Sequence, residues 1–565
     1  MDPVYTYDTE TSYDGTRAWI WSWGLCDPQL HTVTGNGLDA TRILTSLPDK
    51  STVWVHNLSF DGEFIYWDLL RRGYSLEYGV SSFGRHHGVF ELFEDLSGIL
   101  KIVIYCEGRR ITLRDSFRLF RCKLEELPKL CGFDDEDAKV EGFDYDSVRQ
   151  PDHVKTPFEE AYQVHDVTVL MRALQWIRGI QQRGNTIGAI AIEELKSALA
   201  GRSPFKPLTP DQRFGLRSLY SGGVVKLPGD VAGRLITGAG KVYDRNSMYP
   251  SESIHPLPVR LRGINVDDLP GDPDPDGRVA YAVHVFAQDL QQRPGGFPLI
   301  VTPFTGNARS YIPSIEKWFF LEEWRAIQCD YRIGSYTIIS VASFDQKAFA
   351  RPFVEKWYDV KQTHEGPIRT FAKFVLNNFT GKLAQNAQLE QIRRIPQADG
   401  TFTTYRHNEY DHRPNKWLFM PATARITSRS RLALREADRL CGGSIYTDTD
   451  SVFTFGDLPQ GMIDHSRLGA WDCENTFDEA LFVKPKSYWL RERGRTVKIK
   501  HAGVQKDAAV AADPDRLPDR VSAIGLGDVG DKISPDNMRA GQLYLTKQAK
   551  RVQGGVAIVG VVKQM

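Results

Sequence analysis

The chain has 565 residues, 41% hydrophobic and 25% charged, with acidic and basic side chains equal in number. That length exceeds one ordinary core and predicts about two to four domains of a soluble globular protein. Seven scattered cysteines without a C-x-x-C pair exclude a disulfide framework and a zinc knuckle, and no run of apolar residues is long enough for a membrane span.

The N-terminus MDPVYTYDTE lacks the basic-then-apolar layout of a signal peptide, so a cytoplasmic protein is expected. Zero net charge hides an asymmetry. Residues 1–190 carry 29 acids and 20 bases, whereas the remainder carries 42 acids and 51 bases. An acidic front joined to a basic body suits a metal-rich site beside a phosphate-binding surface. Chance unevenness is the alternative.

Residues 3–9 and 17–24 alternate as strands do, and STVWVH at 51–56 predicts another. A helix is expected from Asp61 to about Leu70, with strands at 100–106 and 109–114. TPFEE opens a long helix over 157–185, with Thr156 as cap, Pro157 at the first position and acids in the first turn. Strands followed by covering helices predict an α/β domain for residues 1–185. Residues 257–277 and 396–416 are dense in turn-formers and predict breaks or inserted loops. Between them, 349–385 reads as two helices divided at Gly366-Pro367. SIYTDTDSVFTF, residues 444–455, reads as a strand with Asp448 and Asp450 on one face. The last residues, from about 502, predict a small closing subdomain.

Two constellations of acids stand out. In the front part, YDTET supplies Asp8 and Glu10, HNLSFDGEF supplies Asn57 and Asp61, and YQVHD supplies Tyr162 and Asp166. Each acid alone is commonly a surface charge or a cap. Four converging carboxylates, however, can hold two hard divalent ions roughly 4 Å apart, Mg²⁺ or Mn²⁺ rather than zinc. Such a site hydrolyses phosphodiesters, and Tyr162 could orient the water. In the body, VYDRNSMYP places Asp244 at the end of an apolar strand, and YTDTDS supplies Asp448 and Asp450. Asp244 and Asp450 can hold two further ions, with Asp448 flanking them, and such ions bind a triphosphate. Lys373, Asn377 and Gly381 form one stripe of an intervening helix; an amphipathic helix with a solvated lysine is the plain alternative.

These pieces resemble the family B DNA polymerases of the protein-primed branch. YDTET, HNLSFDG and YQVHD look like three exonuclease motifs; DRNSMYP, KFVLNNFTGK and YTDTDS resemble polymerase motifs A, B and C. YSGG at 220–223 and KSY at 486–488 are similar to two further elements of the family. Motif order agrees over nearly the whole chain.

The resemblance implies an α/β multidomain fold: an RNase H-like exonuclease domain and a right-hand polymerase of palm, fingers and thumb with two insertions. The expected parts are an exonuclease domain (1–189), palm (190–255 and 417–501), first insertion (256–348), fingers (349–384), second insertion (385–416) and thumb (502–565). The insertions are expected to bind the priming protein and to support processive synthesis with strand displacement. The long intervals from Asp244 to Lys373 and from Lys382 to Asp448 leave room for them.

The resemblance also implies roles for residues. Asp8, Glu10, Asp61 and Asp166 are expected to bind the exonuclease metals, with Tyr162 and Lys139 assisting. Asp244, Asp448, Asp450 and the Arg245 carbonyl are expected at the polymerase metals, two Mg²⁺ or Mn²⁺ per site. Tyr249, Lys361, Lys373 and Asn377 are expected to bind nucleotide. DNA contacts are expected from Asn57, Phe60, Ser116 and Phe117 in the exonuclease channel. Others are expected from Tyr220, Gly222, Gly223, Lys382, Arg425, Lys486 and Tyr488. The expected partners are template-primer DNA, deoxynucleotides and a terminal protein, with no membrane, for a monomer in the host cytoplasm.

Two departures bear on detail. Thr380 stands where the family usually has tyrosine, and Pro421 replaces the leading threonine of a T-x-x-A-R element. The alternatives are a nucleic-acid-primed family B polymerase, a nuclease with a DNA-binding body, a reverse transcriptase and a non-enzymatic scaffold. The front exonuclease motifs and bulky Tyr249 count against a reverse transcriptase, and retention of all the acids counts against a scaffold.

Overall fold

The structure, a computed structural model, describes residues 2–14, 18–80, 88–95, 98–133, 142–144, 147–179, 184–265, 277–302, 306–385, 388–397, 402–410, 416–501, 543–552 and 555–564. Lys139 lies outside the described residues, as does most of the segment after 501. No described helix is long and apolar enough to cross a membrane.

The first third is an α/β domain. β1 (Val4–Tyr13), β2 (Ala18–Cys26) and β3 (Thr32–Asn36) run antiparallel, and α1 (Ala40–Ser46) leads to β4 (Thr52–Val55), parallel to β1. α2 (Leu58–Arg71) and the short β5 (Ser75–Leu76) precede β6 (Val89–Asp95), β7 (Gly98–Cys106) and β8 (Arg109–Asp115). α3 (Phe117–Phe120), α4 (Leu127–Cys131), α5 (Pro157–Gly179) and α6 (Ile187–Ala198) follow. The period-2 pattern divides the two sheet faces. Ile102, Ile104, Ile111 and Leu113 pack with Phe64, Ile65 and Leu69 of α2, while Trp54 packs on the other side with Leu119, Leu127 and Leu170.

The body opens with α7 (Pro210–Gly215), β9 (Val225–Lys226), β10 (Leu235–Arg245) and α8 (Met248–Ser253). A separate four-stranded antiparallel sheet comes next, made of β11 (Leu257–Asn265), β12 (Val279–Gln292), β13 (Tyr311–Phe320) and β14 (Tyr331–Lys347), with α9 (Leu321–Asp330) inserted. The helical pair α10 (Arg351–Thr363) and α11 (Gly366–Leu383) precedes a hairpin, β15 (Gln388–Pro396) and β16 (Phe402–Tyr410), and then α12 (Met420–Leu440). β17 (Tyr446–Asp448), β18 (Ser451–Thr454), β19 (Trp471–Lys484), β20 (Ser487–Glu492) and β21 (Arg495–His501) join β9 and β10 in a seven-stranded sheet ordered β21-β20-β19-β10-β18-β17-β9. β22 (Leu543–Val552) and β23 (Gly555–Gln564) form a C-terminal hairpin.

Several local expectations are corrected. Residues 444–455 are not one strand: Thr449 adopts φ +64 and turns the chain between β17 and β18. Asp448 therefore ends one strand and Asp450 sits in the turn. Much of the turn-forming text at 396–416 is strand β16; of the helix expected over 157–185, Pro157–Gly179 is α5 and residues 180–183 lie outside the described residues. α2 starts at Leu58 rather than Asp61, after Asn57 at φ +63. The Thr156 cap is present, with its hydroxyl accepting from the Glu159 amide at 3.2 Å.

The β15–β16 hairpin adds to the edge of the first domain's sheet, Ile392 pairing with Glu94 of β6. One residue fastens it. Arg394 is buried and donates to Glu63 of α2 at 2.5 and 2.6 Å and to Glu94 at 2.7 and 2.8 Å. Its guanidinium also lies 4.9 Å from the Tyr66 ring and 4.6 Å from the Phe402 ring. Removing one partner of such a group leaves buried charge uncompensated, at a cost of about 3–5 kcal/mol. Arg394→Ala should therefore release the hairpin, read as faster amide exchange in residues 388–396 and a lower denaturation midpoint.

Candidate active sites

Strand pairing builds the first site. Asp244, next to last in β10, lies opposite Ser451, and the Arg245 amide donates to the Asp450 carbonyl at 2.9 Å. The turn is held by the Thr449 amide on the Val224 carbonyl at 2.9 Å. Two half-buried carboxylates, Asp244 and Asp450, thereby stand within each other's field. Burial, with Asp450 adding to it, pushes Asp244 up to about 8. Burial also raises Asp450, with the Asp448 charge adding to it.

Asp448 behaves oppositely. Burial works against its charge, but Lys486 and Lys500 outweigh it and hold its pKa below the usual range. Lys500 Nζ is 2.8 Å from Oδ2, and Lys486 Nζ bonds Oδ1. The structure thus separates the three acids into an unneutralised pair and a neutralised support. Sequence spacing identified Lys486 by its motif but had no signal for Lys500.

Two helices put cations over this pair. On α10, Lys361 is buried with Nζ donating to Ser247 Oγ at 2.8 Å. Burial, with repulsion from Lys373 and Arg369, pushes it down to about 8. On α11, Lys373, Asn377 and Gly381 share the exposed face, whereas Phe371, Val375 and Phe379 are buried. Lys373 lies close enough to act on both Asp244 and Asp450. Thr380 is buried, and its carbonyl accepts from Thr423 Oγ1 of α12 at 2.7 Å. At this position the chain makes a helix–helix contact.

Gly223 is required by crowding. A Cβ there would meet Thr449 Cγ2 at 2.7 Å and Tyr249 Oη at 2.9 Å. The loop before it is clamped by Arg431, which donates to the Ser221 and Gly222 carbonyls at 2.8 and 2.6 Å and pairs with buried Glu323 at 2.7 and 2.9 Å. Tyr220 lies at the same loop with Arg217 5.6 Å from its ring. The Arg245 side chain is taken by Glu252 at 2.7 Å and the Gly469 carbonyl at 2.9 Å. Other expected DNA contacts sit deeper than their motifs imply. Arg425 is buried and bidentate on Glu322 at 2.7 Å for both bonds, and Tyr488 is buried against Tyr446, Phe453 and Phe482. Lys382 lays its stem beside Gly188 of α6.

The second site lies on the first domain's sheet. Asp8 and Glu10 of β1 and Asp166 of α5 each offer an oxygen within 4.8 Å of the others. Asp8 is driven well above its ordinary range by burial, then by Asp61, Glu10 and Asp166. Asp61 on α2 is buried, accepts from Thr9 Oγ1 of β1 and is pushed up to about 7, burial outweighing that bond. Gln163, unnoticed in the sequence, positions Asp8: its amide donates to Oδ2 at 3.0 Å and accepts from Ser22 Oγ at 2.9 Å. Gly24 makes room for it, since a Cβ there would lie 2.9 Å from Gln163 Cγ.

Tyr162 is buried with its ring 4.2 Å from that of Phe143, beside a cavity of about 260 Å³ lined by Lys123, Leu124, Pro128, His165 and Asp166. Asn57 exposes its side chain and donates its amide to Asp115 Oδ1 at 3.1 Å. Phe60 is half-buried, 5.6 Å from Phe64, and Phe117 is 36% exposed, open enough to meet a ligand. Ser116 is fully buried and spends its hydroxyl on the Val55 carbonyl at 3.2 Å and on His56 Nδ1 at 2.9 Å. Burial lowers His56 to about 4, so it is neutral near pH 7. Hard carboxylate oxygens gathered at both sites fit a divalent cation of the Mg²⁺ or Mn²⁺ kind.

No protein-family model matches the chain. Relatives match along nearly all of it. The DNA polymerase of Bacillus phage Nf is 25% identical over 98% of this chain and 97% of that protein. The DNA polymerase of Bacillus phage phi29 is 24% identical over 98% of each. The DNA-directed DNA polymerase of Enterobacteria phage PRD1 is 25% identical over 81% of each. Among solved structures, phi29 DNA polymerase complexed with primer-template DNA and incoming nucleotides is similar at TM-score 0.84, with 20% identity over 100% of this chain and 99% of that one.

The fold is therefore α/β and multidomain, the fold of phi29 DNA polymerase. Over nearly its full length the chain is similar to these phage DNA polymerases.

The raised carboxyls set a pH dependence. Asp61 and Asp244 bind protons more tightly folded than unfolded, so the stability they contribute is full below the ordinary aspartate range and lost as pH rises through about 7 for Asp61 and about 8 for Asp244. With a chelator present, the melting temperature should fall as pH rises from about 5 to about 8. Added Mg²⁺ or Mn²⁺ should restore more at the upper end, and Asp244→Asn should flatten the chelator profile.

Proposed function

We propose that the chain is a DNA-directed DNA polymerase that replicates a linear genome from a protein primer and removes errors with a 3′→5′ exonuclease. The observation that carries this reading is the half-buried Asp244–Asp450 pair, set across a strand turn with Lys361 and Lys373 acting on it from two helices. Like charges held so close need a cation, and cations facing them need an anion. A metal-bound nucleoside triphosphate supplies both.

Asp244, Asp450 and the Arg245 carbonyl would hold two Mg²⁺ or Mn²⁺ ions. Such ions lower the pKa of an attacking hydroxyl and neutralise charge on the phosphate oxygens. Lys361 would hold its proton more tightly once the negative charge of a triphosphate offsets Lys373 and Arg369, and Lys373 offers its charge from the exposed face of α11, with Asn377 one turn on. Tyr249 stands where its bulk excludes a 2′-hydroxyl, its place fixed by contact with Gly223. Asp448, already matched by two lysines, positions the turn and ties Lys486 to it.

At the other site, Asp8, Glu10, Asp61 and Asp166 would hold two further ions, Tyr162 would orient water, and Asn57, Phe60 and Phe117 would receive a frayed strand. Lys139 is assigned the assisting role on its motif. The sheet of β11–β14 and the β15–β16 hairpin are read as the two insertions, the first offered to a terminal protein and the second to strand displacement and processivity. Residues 349–384 are read as the fingers and 502–565 as the thumb. The enzyme is read as a monomer of the host cytoplasm.

Asp450→Asn should cut primer extension on a single-stranded circle by at least about 10²-fold, the scale of losing one fixed electrostatic group. Release of 3′ nucleotides should persist in that variant. Asp8→Ala with Asp166→Ala should show the reverse pattern. Undiminished synthesis by Asp450→Asn would overturn the polymerase assignment. Transfer of a labelled nucleotide to a hydroxyl of a partner protein would establish protein priming.

A further inference from the structure

Strand β13 of the four-stranded sheet carries a lysine on the side that packs the core. Ile315, Lys317 and Phe319 alternate onto one face, with Lys317 opposite Val285 and Phe319 opposite Val283. Both valines are buried in the apolar cluster that includes Trp324. A half-buried lysine in that row needs a partner for its ammonium group. Lys317 finds it in the loop that holds YSGG: its Nζ donates to Ser221 Oγ at 2.6 Å. Among the described residues it makes no ion pair. Glu323, the carboxylate that acts on it, is bidentate on Arg431, and burial followed by the Arg431 charge pushes Lys317 down to about 8. One carboxylate thus serves two cations, which stability alone would not select, since an apolar side chain of similar length would fill the space without the repulsion.

The same corner of the sheet grips the loop on either side of Ser221. The Trp318 amide donates to Ser218 Oγ at 3.2 Å. The Val225 amide donates to the Gly306 carbonyl at 2.9 Å, and the Ala308 amide donates to the Val225 carbonyl at 2.8 Å. Gly306, at φ +70, lets the two segments close up, because a Cβ there would lie 2.6 Å from the Gly223 carbonyl oxygen. The far side of the loop meets the polymerase-type site. Gly223 abuts Tyr249 Oη and Thr449, and the Thr449 amide donates to the Val224 carbonyl at 2.9 Å. A continuous run of contacts therefore leads from β13 through Ser221 and Gly223 to the Tyr249 hydroxyl.

We propose that Lys317 is a positioning residue for sugar selection: by fixing Ser221 it holds Gly223 against Tyr249 and sets how closely that ring approaches the ribose of an incoming nucleotide. The inference rests on the polymerase reading of Asp244, Asp450 and Tyr249. It gives the inserted sheet an inward task in nucleotide choice, apart from any partner seated on its outer surface.

Lys317→Met in the full chain removes both the hydrogen bond and the repulsion while nearly keeping the side chain's length. Its melting temperature should equal or exceed that of the unaltered chain. Its preference for deoxyribonucleotides over ribonucleotides, read as the ratio of kcat/KM values in primer extension, should nevertheless fall by about 10-fold. Ser221→Ala should lower the ratio to a similar extent, and the double variant should fall no further, as expected of one shared contact. Lys317→Arg, which keeps a donor, should retain most of the preference. An unchanged ratio in Lys317→Met overturns the proposal, as does an additive loss in the double variant. Ser221→Ala, which leaves the sheet untouched, decides the question if Lys317→Met does not fold. Failure of the unaltered chain to extend a primer overturns the polymerase reading instead, and faster amide exchange at residues 219–225 in Lys317→Met then still reports whether the lysine holds the loop.

Discussion

The polymerase-type site depends on repulsion that the fold does not relieve by itself. Asp244 and Asp450 come from segments about two hundred residues apart and meet because β10 and β18 pair in one register. A slip of one residue would turn Asp244 to the opposite side of the sheet. The surrounding parts follow from keeping that register and that turn: Gly223 clears the space, Arg431 clamps the loop beside it, and Lys486 with Lys500 neutralises the neighbouring acid.

The exonuclease-type cluster uses the same physics on a different frame. There a central strand contributes two acids, and helices on opposite faces of the sheet contribute one each. Thr9 and Gln163 supply the neutral hydrogen bonds that orient the carboxylates. Such groups balance the field without cancelling it. A lysine in either place would neutralise the cluster and remove its attraction for a cation.

Much of this was legible in the residues. Alternation marked the strands of the first domain, and paired acids two apart on β1 marked the cluster. Motif order separated the two sites. What was hidden has identifiable causes. Alternation cannot see a tight turn at a threonine, so Asp448 and Asp450 read as one strand face when they flank and occupy a bend. Turn-formers on either side of β16 within 396–416 hid it, although Phe402, Thr403, Thr404 and Tyr405 are strand formers and pair with β15. Gln163 and Lys500 are invisible because nothing local distinguishes a buried glutamine or a partnered lysine from a solvated one. Arg425 and Tyr488 illustrate the converse: each motif was present, but the side chain is committed to packing.

The fastening of the β15–β16 hairpin has a consequence for modularity. Arg394 is contributed by one segment and both its acceptors by another, more than three hundred positions away for Glu63. Grafting this hairpin onto a scaffold lacking those two glutamates would seal a lone guanidinium inside apolar surroundings. Exchange between relatives is therefore expected to succeed only when hairpin and acceptor helix travel as a unit.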